Sequence, residues 1–173
     1  MNAWLEKALS DVAADAKALR TVFPAVGRRV GRTAADTARV ELLAAAPGAA
    51  AEMPELYRYG DAAEKRAILY GLSVVDIGDA GIELVADALR TNDTRLVAAA
   101  MGEYAATHLD PPAYRHGVLK CVFMGIPLAA VAGLDRRTDD ELLRMLRDFA
   151  AERTAAGREV PADLRTLLNE QDG

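Results

Sequence analysis

Apolar residues recur at steps of three and four along most of the chain, and those steps mark helices. Trp4, Leu5, Leu9, Val12, Ala16 and Leu19 fall near the 3.6-residue period, with Glu6, Lys7, Asp11, Asp15 and Lys17 between them. This pattern predicts an amphipathic helix over 3–21. Pro24 and Gly27 are expected to break it, and Gly31 weakens the stretch that follows. A second helix is expected over 33–46, with Thr33 as its N-cap and Pro47-Gly48 as its stop. A short third one follows over 48–58, around Pro54.

Beyond residue 60 the boundary signals sharpen. Asp61-Ala62-Ala63-Glu64 has capping-box spacing and opens a helix over 61–72. After the Asp76-Ile77-Gly78 link, another helix is expected over 79–90, and Asn92 or Asp93 caps one over 93–108. Asp110-Pro111-Pro112 places prolines in the first turn of a helix that runs to Met124. Residues 127–132 read as a short apolar helix ending at Gly133. Thr138-Asp139-Asp140-Glu141 predicts a second capping box and a long helix to Ala156, stopped by Gly157. Residues 161–169 form a last short helix, after which Gln171, Asp172 and Gly173 are expected to fray.

The helices from 61 onward pair as antiparallel hairpins, 61–72 with 79–90 and 93–108 with 111–124. The pairs start about 32 residues apart, near the period of helical-hairpin repeats, although no residue signature recurs with them. The expected architecture is therefore a single all-α domain over 1–173, an irregular HEAT-like stack of about eight to ten helices. Within it, 1–60 hold alanine-rich helices, 61–161 the hairpins, and 162–173 a terminal helix and tail.

Composition narrows the function classes. Alanine supplies 36 residues and aromatics only 5%, which favours helices over sheets. A net charge of -5 gives no support to a nucleic-acid partner. One cysteine excludes an internal disulfide, and with two histidines it leaves too few ligands for a closed zinc site. The apolar stretch 118–131 is interrupted by Lys120, Gly125 and Pro127, and it falls short of the roughly 20 residues of a membrane span. The first residues show no basic region followed by an apolar one, so a soluble cytoplasmic protein is expected.

The candidate chemistry gathers in 104–137. His116 and Lys120 stand four apart on one helical face, beside Ala113 and Gly117. Small residues under a lysine and a histidine suit a pocket for an anionic or carbonyl group. The alternative is a Lys120 that reaches the surface or pairs with Glu103 or Asp135. Tyr104 and His108 form a second such pair, which a hairpin would bring towards the first; the alternative is a polar rim with the tyrosine packed beneath it. Ser10 and Ser73 lack a nucleophile context, and Cys121 reads as a buried, inert thiol rather than a nucleophile. Asp139-Asp140-Glu141 lacks a carboxylate at the fourth step, and Asp76 to Asp79 reads as a turn, so no metal or cofactor is expected. The basic run Gly27 to Arg32 either holds a phosphate or, as expected here, pairs with Asp36 and Glu41. In the loop from Gly133 to Thr138, Asp135 caps local amides. One of Arg136 and Arg137 locks the loop while the other faces a ligand or partner; structural locking is the leading reading.

One set of motifs resembles a known family. It comprises Ala88-Leu89-Arg90-Thr91-Asn92, Val118-Leu119-Lys120-Cys121-Val122-Phe123, Gly125-Ile126-Pro127-Leu128 and Gly133-Leu134-Asp135-Arg136-Arg137. It continues through Leu143 to Ala150, Glu152-Arg153 and Ala156-Gly157-Arg158. In order and spacing these resemble the EboA-like proteins of bacterial natural-product gene clusters over 88–161, while the N-terminal part matches only in its alanine-rich character. The resemblance implies an all-helical cytoplasmic protein encoded beside a prenyltransferase-like membrane protein, sugar-metabolism-like enzymes and a metal-dependent hydrolase. Such clusters make or move secondary metabolites, pigment precursors among them, and no catalytic activity carries over from the family. Lys120, Asp135 and Arg136 fit its pattern. Many relatives carry an aromatic, Asn and Gln where Tyr114, Arg115 and His116 stand here, and Asn-Pro-Tyr-Pro near Gly102-Glu103-Tyr104-Ala105. These departures imply a different ligand or specificity.

The expectation is an accessory protein of a secondary-metabolite biosynthesis or export pathway that binds a pathway partner or a small metabolite. Its candidate ligand-binding residues are Tyr104, His108, His116, Lys120, Asp135 and Arg136. It has no transmembrane segment of its own, and association with a membrane-bound pathway protein is compatible with it. The alternative is an enzyme acting on a cyclitol- or prenyl-type intermediate, with Lys120 and His116 as acid and base and arginines holding an anionic group.

Overall fold

The computed structural model describes residues 2–171. The expected fraying of Asp172 and Gly173 lies outside the described residues. Among these, the chain forms twelve α-helices and two short 3-10 turns, with no strand, so the protein is all-α. It divides at Thr91 and Asn92 into two compact units.

In the first unit α1 spans Ala3–Ala14 and α2 Leu19–Val30, with a 3-10 turn at Ala16–Ala18 between them. The single helix expected over 3–21 is broken at Asp15. That residue's backbone is extended, and its carboxylate accepts from the Lys17 amide at 2.9 Å, restarting the chain as a new N-terminus. Pro24, expected to break a helix, lies inside α2. An interior proline costs about 3 kcal/mol, but Phe23 and Val26 flank it and are fully buried. Two such side chains return roughly 1.5–3 kcal/mol each. The helix ends instead at Gly31, whose φ of 84° needs no Cβ.

Helix α3 (Ala35–Ala45) is entered through Ala34 with no side-chain cap, so Thr33 is not the expected N-cap. Helices α4 (Ala49–Tyr59), α5 (Ala62–Gly71) and α6 (Ala80–Arg90) follow. The Asp61–Glu64 capping box is present in both directions, at 2.8 and 3.1 Å. Helix α5 packs on α3 and α4, and α6 on α4, whereas α5 and α6 barely touch. The expected 61–72 with 79–90 hairpin is therefore not the packing unit. The backbone of α5 presents Gly71 to α3, where an added Cβ would sit 2.5 Å from Leu43 Cδ1, a closer approach than a larger residue permits.

Arg28, Arg29 and Arg32 also depart from expectation. Asp36 pairs with Arg66 at 2.8 Å instead, and among the described residues these three arginines and Glu41 form no ion pair. Arg28 and Arg29 occupy the last turn of α2, where the exposed carbonyls favour positive charge.

The second unit contains α7 (Thr94–Ala100), α8 (Glu103–His108), α9 (Pro111–Phe123), a 3-10 turn at Leu128–Ala130, α10 (Leu134–Arg137), α11 (Asp140–Ala155) and α12 (Ala162–Gln171). The helix expected over 93–108 is cut at Met101-Gly102 into α7 and α8, and with the break at Asp15 this accounts for much of the excess over eight to ten helices. Asp93, Asp110 and Asp139 cap α7, α9 and α11, each accepting a backbone N–H at 2.8–2.9 Å. The cap of α11 is thus Asp139 rather than Thr138, whose hydroxyl donates to the Leu134 carbonyl at 2.6 Å. Helix α9 packs on α7 and α11, and α11 also on α12, over a core that includes Val97, Tyr114, Val118, Cys121, Leu142, Leu146 and Leu164. No helix among the described residues is long and apolar enough to cross a membrane.

Candidate functional site

Helix α9 has two unlike faces. Tyr114, Gly117, Val118, Cys121 and Val122 are buried in the core of their unit. On the other side His116 and Phe123 are exposed, Phe123 to 77%, and Leu119 and Lys120 are half-buried. The spacing of 116, 119, 120 and 123 is one continuous helical stripe. Met145 and Phe149, four apart on α11, stand opposite, and the six residues line an open groove of about 360 Å³. Its walls are apolar apart from His116 and Lys120.

Lys120 donates to the side-chain oxygen of Asn92 at 3.4 Å, a long contact at an exposed position. It does not pair with Glu103, which binds Arg136, nor with Asp135, which stands exposed 4.0 Å from the same arginine. Among the described residues neither Lys120 nor His116 has a carboxylate partner.

Tyr104 and His108 do not share this groove. Their rings stack on α8 with centroids 4.1 Å apart and planes 16° apart, and Tyr104 is buried. The break at Met101-Gly102 sets α8 off as a short helix of its own. Of the four residues expected to converge, the structure brings together His116 with Lys120, and separately Tyr104 with His108.

The loop between α9 and α11 is fixed by partners on α8 and α9. Arg137 donates to the carbonyls of Ala106 and, at 2.8 Å, Leu109, with its guanidinium 4.5 Å from the centre of the Tyr114 ring. The Tyr114 hydroxyl donates to the Ala132 carbonyl at 2.7 Å, and burial pushes its pKa up to about 12. Arg115 holds Asp139 through contacts of 2.5–3.0 Å, and these bonds take the Asp139 carboxyl down to about 2. Gly133 turns with φ 78°, and an added Cβ there would lie 2.7 Å from that of Ala106. Arg136 and Arg137 are both engaged within the fold, where one had been expected to lock the loop and the other to face a ligand.

Cys121 is buried and its thiol is raised to about 11 by desolvation, which leaves it protonated and unreactive at neutral pH. Among the described residues no cluster of three or more His, Cys, Asp or Glu side chains is placed to hold a metal. A smaller concavity of about 220 Å³ in the first unit is lined by Arg20, Pro24, Glu55, Leu56, Tyr59, Gly60 and Glu64. Its charged groups are occupied within the fold: Arg20 binds Glu52 at 2.6 Å and Glu55 at 3.7 Å, and Glu64 accepts from the Asp61 amide at 3.1 Å.

A family model described as metabolite traffic protein EboA matches residues 44–169, well over half of the chain. The chain belongs to this family. The EboA match begins upstream of residue 88, so it takes in α4 to α6 as well as the second unit that carries the groove. No curated protein and no solved structure matches the chain.

The sequence pointed to His116 and Lys120 and to a loop lock at Arg136 or Arg137, but not to Leu119, Phe123, Met145 and Phe149 as groove walls, nor to Tyr114 and the carbonyls as partners of the lock. The stripe from 116 to 123 carried the first signal; the pairing with α11 is non-local and had none.

Proposed function

We propose that this EboA-family member is an accessory protein of a secondary-metabolite pathway. It holds a small metabolite in the α9–α11 groove and passes it on without changing it. The observation that carries the reading is the groove itself. Four apolar walls and two polar side chains, without carboxylate partners among the described residues, form a concavity at the lower end of the roughly 300–1,000 Å³ range of small-ligand sites. The family description, metabolite traffic, supports the same direction. The protein works in the cytoplasm and delivers its cargo to a pathway enzyme or a membrane-bound pathway protein.

The test is native mass spectrometry of the protein purified from its own host, followed by extraction of whatever is bound. The expected result is a one-to-one adduct, released chemically unchanged and lost in Phe149→Glu. An adduct that Phe149→Glu retains would place the cargo elsewhere. Conversion of the extracted compound on incubation with fresh protein, abolished by Lys120→Ala, would replace the carrier reading with the enzymatic one.

A further inference from the structure

We infer that the groove is built for an amphipathic anion, an aromatic or similarly flat apolar body with one acidic head group set against Lys120 and His116. The inference rests on the carrier reading above and specifies its cargo.

Size and shape come first. The stripe from His116 to Phe123 covers seven residues of α9, about 10 Å at a helical rise of 1.5 Å per residue. With a volume of about 360 Å³, this suits a body of one or two fused rings and not an extended chain. Two phenylalanine rings form much of the wall, and Met145 supplies an adaptable contact. Phe123 is among the few large apolar side chains that stand mostly exposed. A flat ligand against it removes that surface from water.

Charge sets the polarity of the head group. Elsewhere in the second unit the cations described above are satisfied by the protein: Arg115 by Asp139, Arg136 by Glu103, Arg137 by two carbonyls. Arg144 is held by Glu141 and Asp148, and Arg95 by Asp93. Among the described residues Lys120 has only the 3.4 Å contact to a neutral amide. Seating an apolar body beside it strips water from the ammonium, which is unfavourable unless the ligand returns an acceptor of opposite charge. An anionic head does so, whereas a cationic head adds repulsion. Arg153, whose guanidinium lies 5.7 Å from the centre of the Phe149 ring, is likewise held by the fold, donating to the Glu159 carbonyl at 2.7 Å.

The experiment titrates the intact protein with three probes that share one body: 2-naphthoate, 2-naphthalenemethanol and 2-naphthylmethylammonium. Binding is followed by calorimetry and by amide chemical shifts. Naphthoate is expected to bind roughly threefold to fivefold more tightly than the alcohol at low salt, as a partly exposed ion pair allows, with the ammonium weakest. Added salt is expected to narrow the gap. Lys120→Gln is expected to bring naphthoate to the affinity of the alcohol, while Phe149→Ala weakens all three. Equal affinities, or a naphthoate preference that survives Lys120→Gln, would overturn the anionic assignment and leave the groove as a carrier site. Failure of all three probes to bind and to shift α9 or α11 resonances would overturn the groove itself.

Discussion

One helix carries two regions that obey opposite rules. Tyr114 and Arg115 on α9 are tied to the loop that leads into α11, and each polar atom named there has a partner: the Tyr114 hydroxyl a carbonyl, Arg115 a carboxylate. His116, Lys120 and Phe123, one to nine positions further along, face a groove where, among the described residues, the polar groups lack carboxylate partners and an aromatic ring faces water. Both regions contain aromatics and basic side chains, so residue type does not separate them. Partner saturation does: a charge already satisfied by the fold adds stability, and an unsatisfied one beside apolar surface is available to a ligand.

The sharpest way to break this contrast is truncation on either side of α9. Tyr114 is 1% exposed, and Tyr114→Ala is expected to cost about 3–5 kcal/mol of unfolding free energy, as for other large aromatic truncations in cores. Phe123→Ala on the open face is expected to change it by less than about 0.5 kcal/mol. Urea denaturation of both variants measures the difference, and equal losses would erase the distinction. Next in size is Gly133→Ala. It forces a Cβ to within 2.7 Å of that of Ala106 at a positive φ, a strain of about 1–3 kcal/mol. The same denaturation midpoint should fall, and Gly125→Ala, with open space around its Cβ but the same sign of φ, isolates the steric part.

These variants also show which parts of the structure local sequence encodes. The Asp61–Glu64 box was legible because all its bonds close within four residues. The cap of α11 was not, because Thr138 and Asp139 both fit locally, and Asp139 also meets Arg115, 24 positions away. His116 and Lys120 were legible as one face by their spacing, while Met145 and Phe149 reach the groove only through the packing of α11 on α9. That one of Arg136 and Arg137 locks the loop was legible from their place in it, but the partners of Arg137 were not, since they are backbone carbonyls, which every residue has. The cut at Met101-Gly102 was missed because alanines on both sides favour helix.

A smaller effect, confined to acid, tests the locked side electrostatically. The Asp139 carboxyl is held near 2 by Arg115, below its ordinary value, so the native state prefers it ionised. That stability is present above the unfolded carboxylate pKa of about 3.9 and is lost as pH falls towards 2. Asp139→Asn keeps an oxygen able to cap α11 but cannot titrate. The stability gap between wild type and variant should be constant above about pH 5 and close between about pH 4 and 2. A gap that stays open through this window would show that Arg115 does not hold the carboxylate in solution.

Lys120→Gln, like Phe123→Ala, belongs among the smallest changes in stability, and its smallness is the point. The amine makes one long contact to Asn92 and no ion pair among the described residues, so neutralising it is expected to move the denaturation midpoint by no more than the equivalent of about 0.5 kcal/mol. Glutamine retains a donor that reaches towards Asn92, and the half-buried stem is largely preserved. The same substitution is expected to abolish the preference of the groove for naphthoate over the neutral alcohol, because the charge that made the preference is gone. Arg137→Gln should behave in reverse: a loss of stability as the carbonyls of Ala106 and Leu109 lose their charged donor, with the probe preference intact. If instead Lys120→Gln unfolds the protein, or Arg137→Gln removes the preference, then the two faces of α9 are coupled, and saturation of partners does not separate fold from function in this chain.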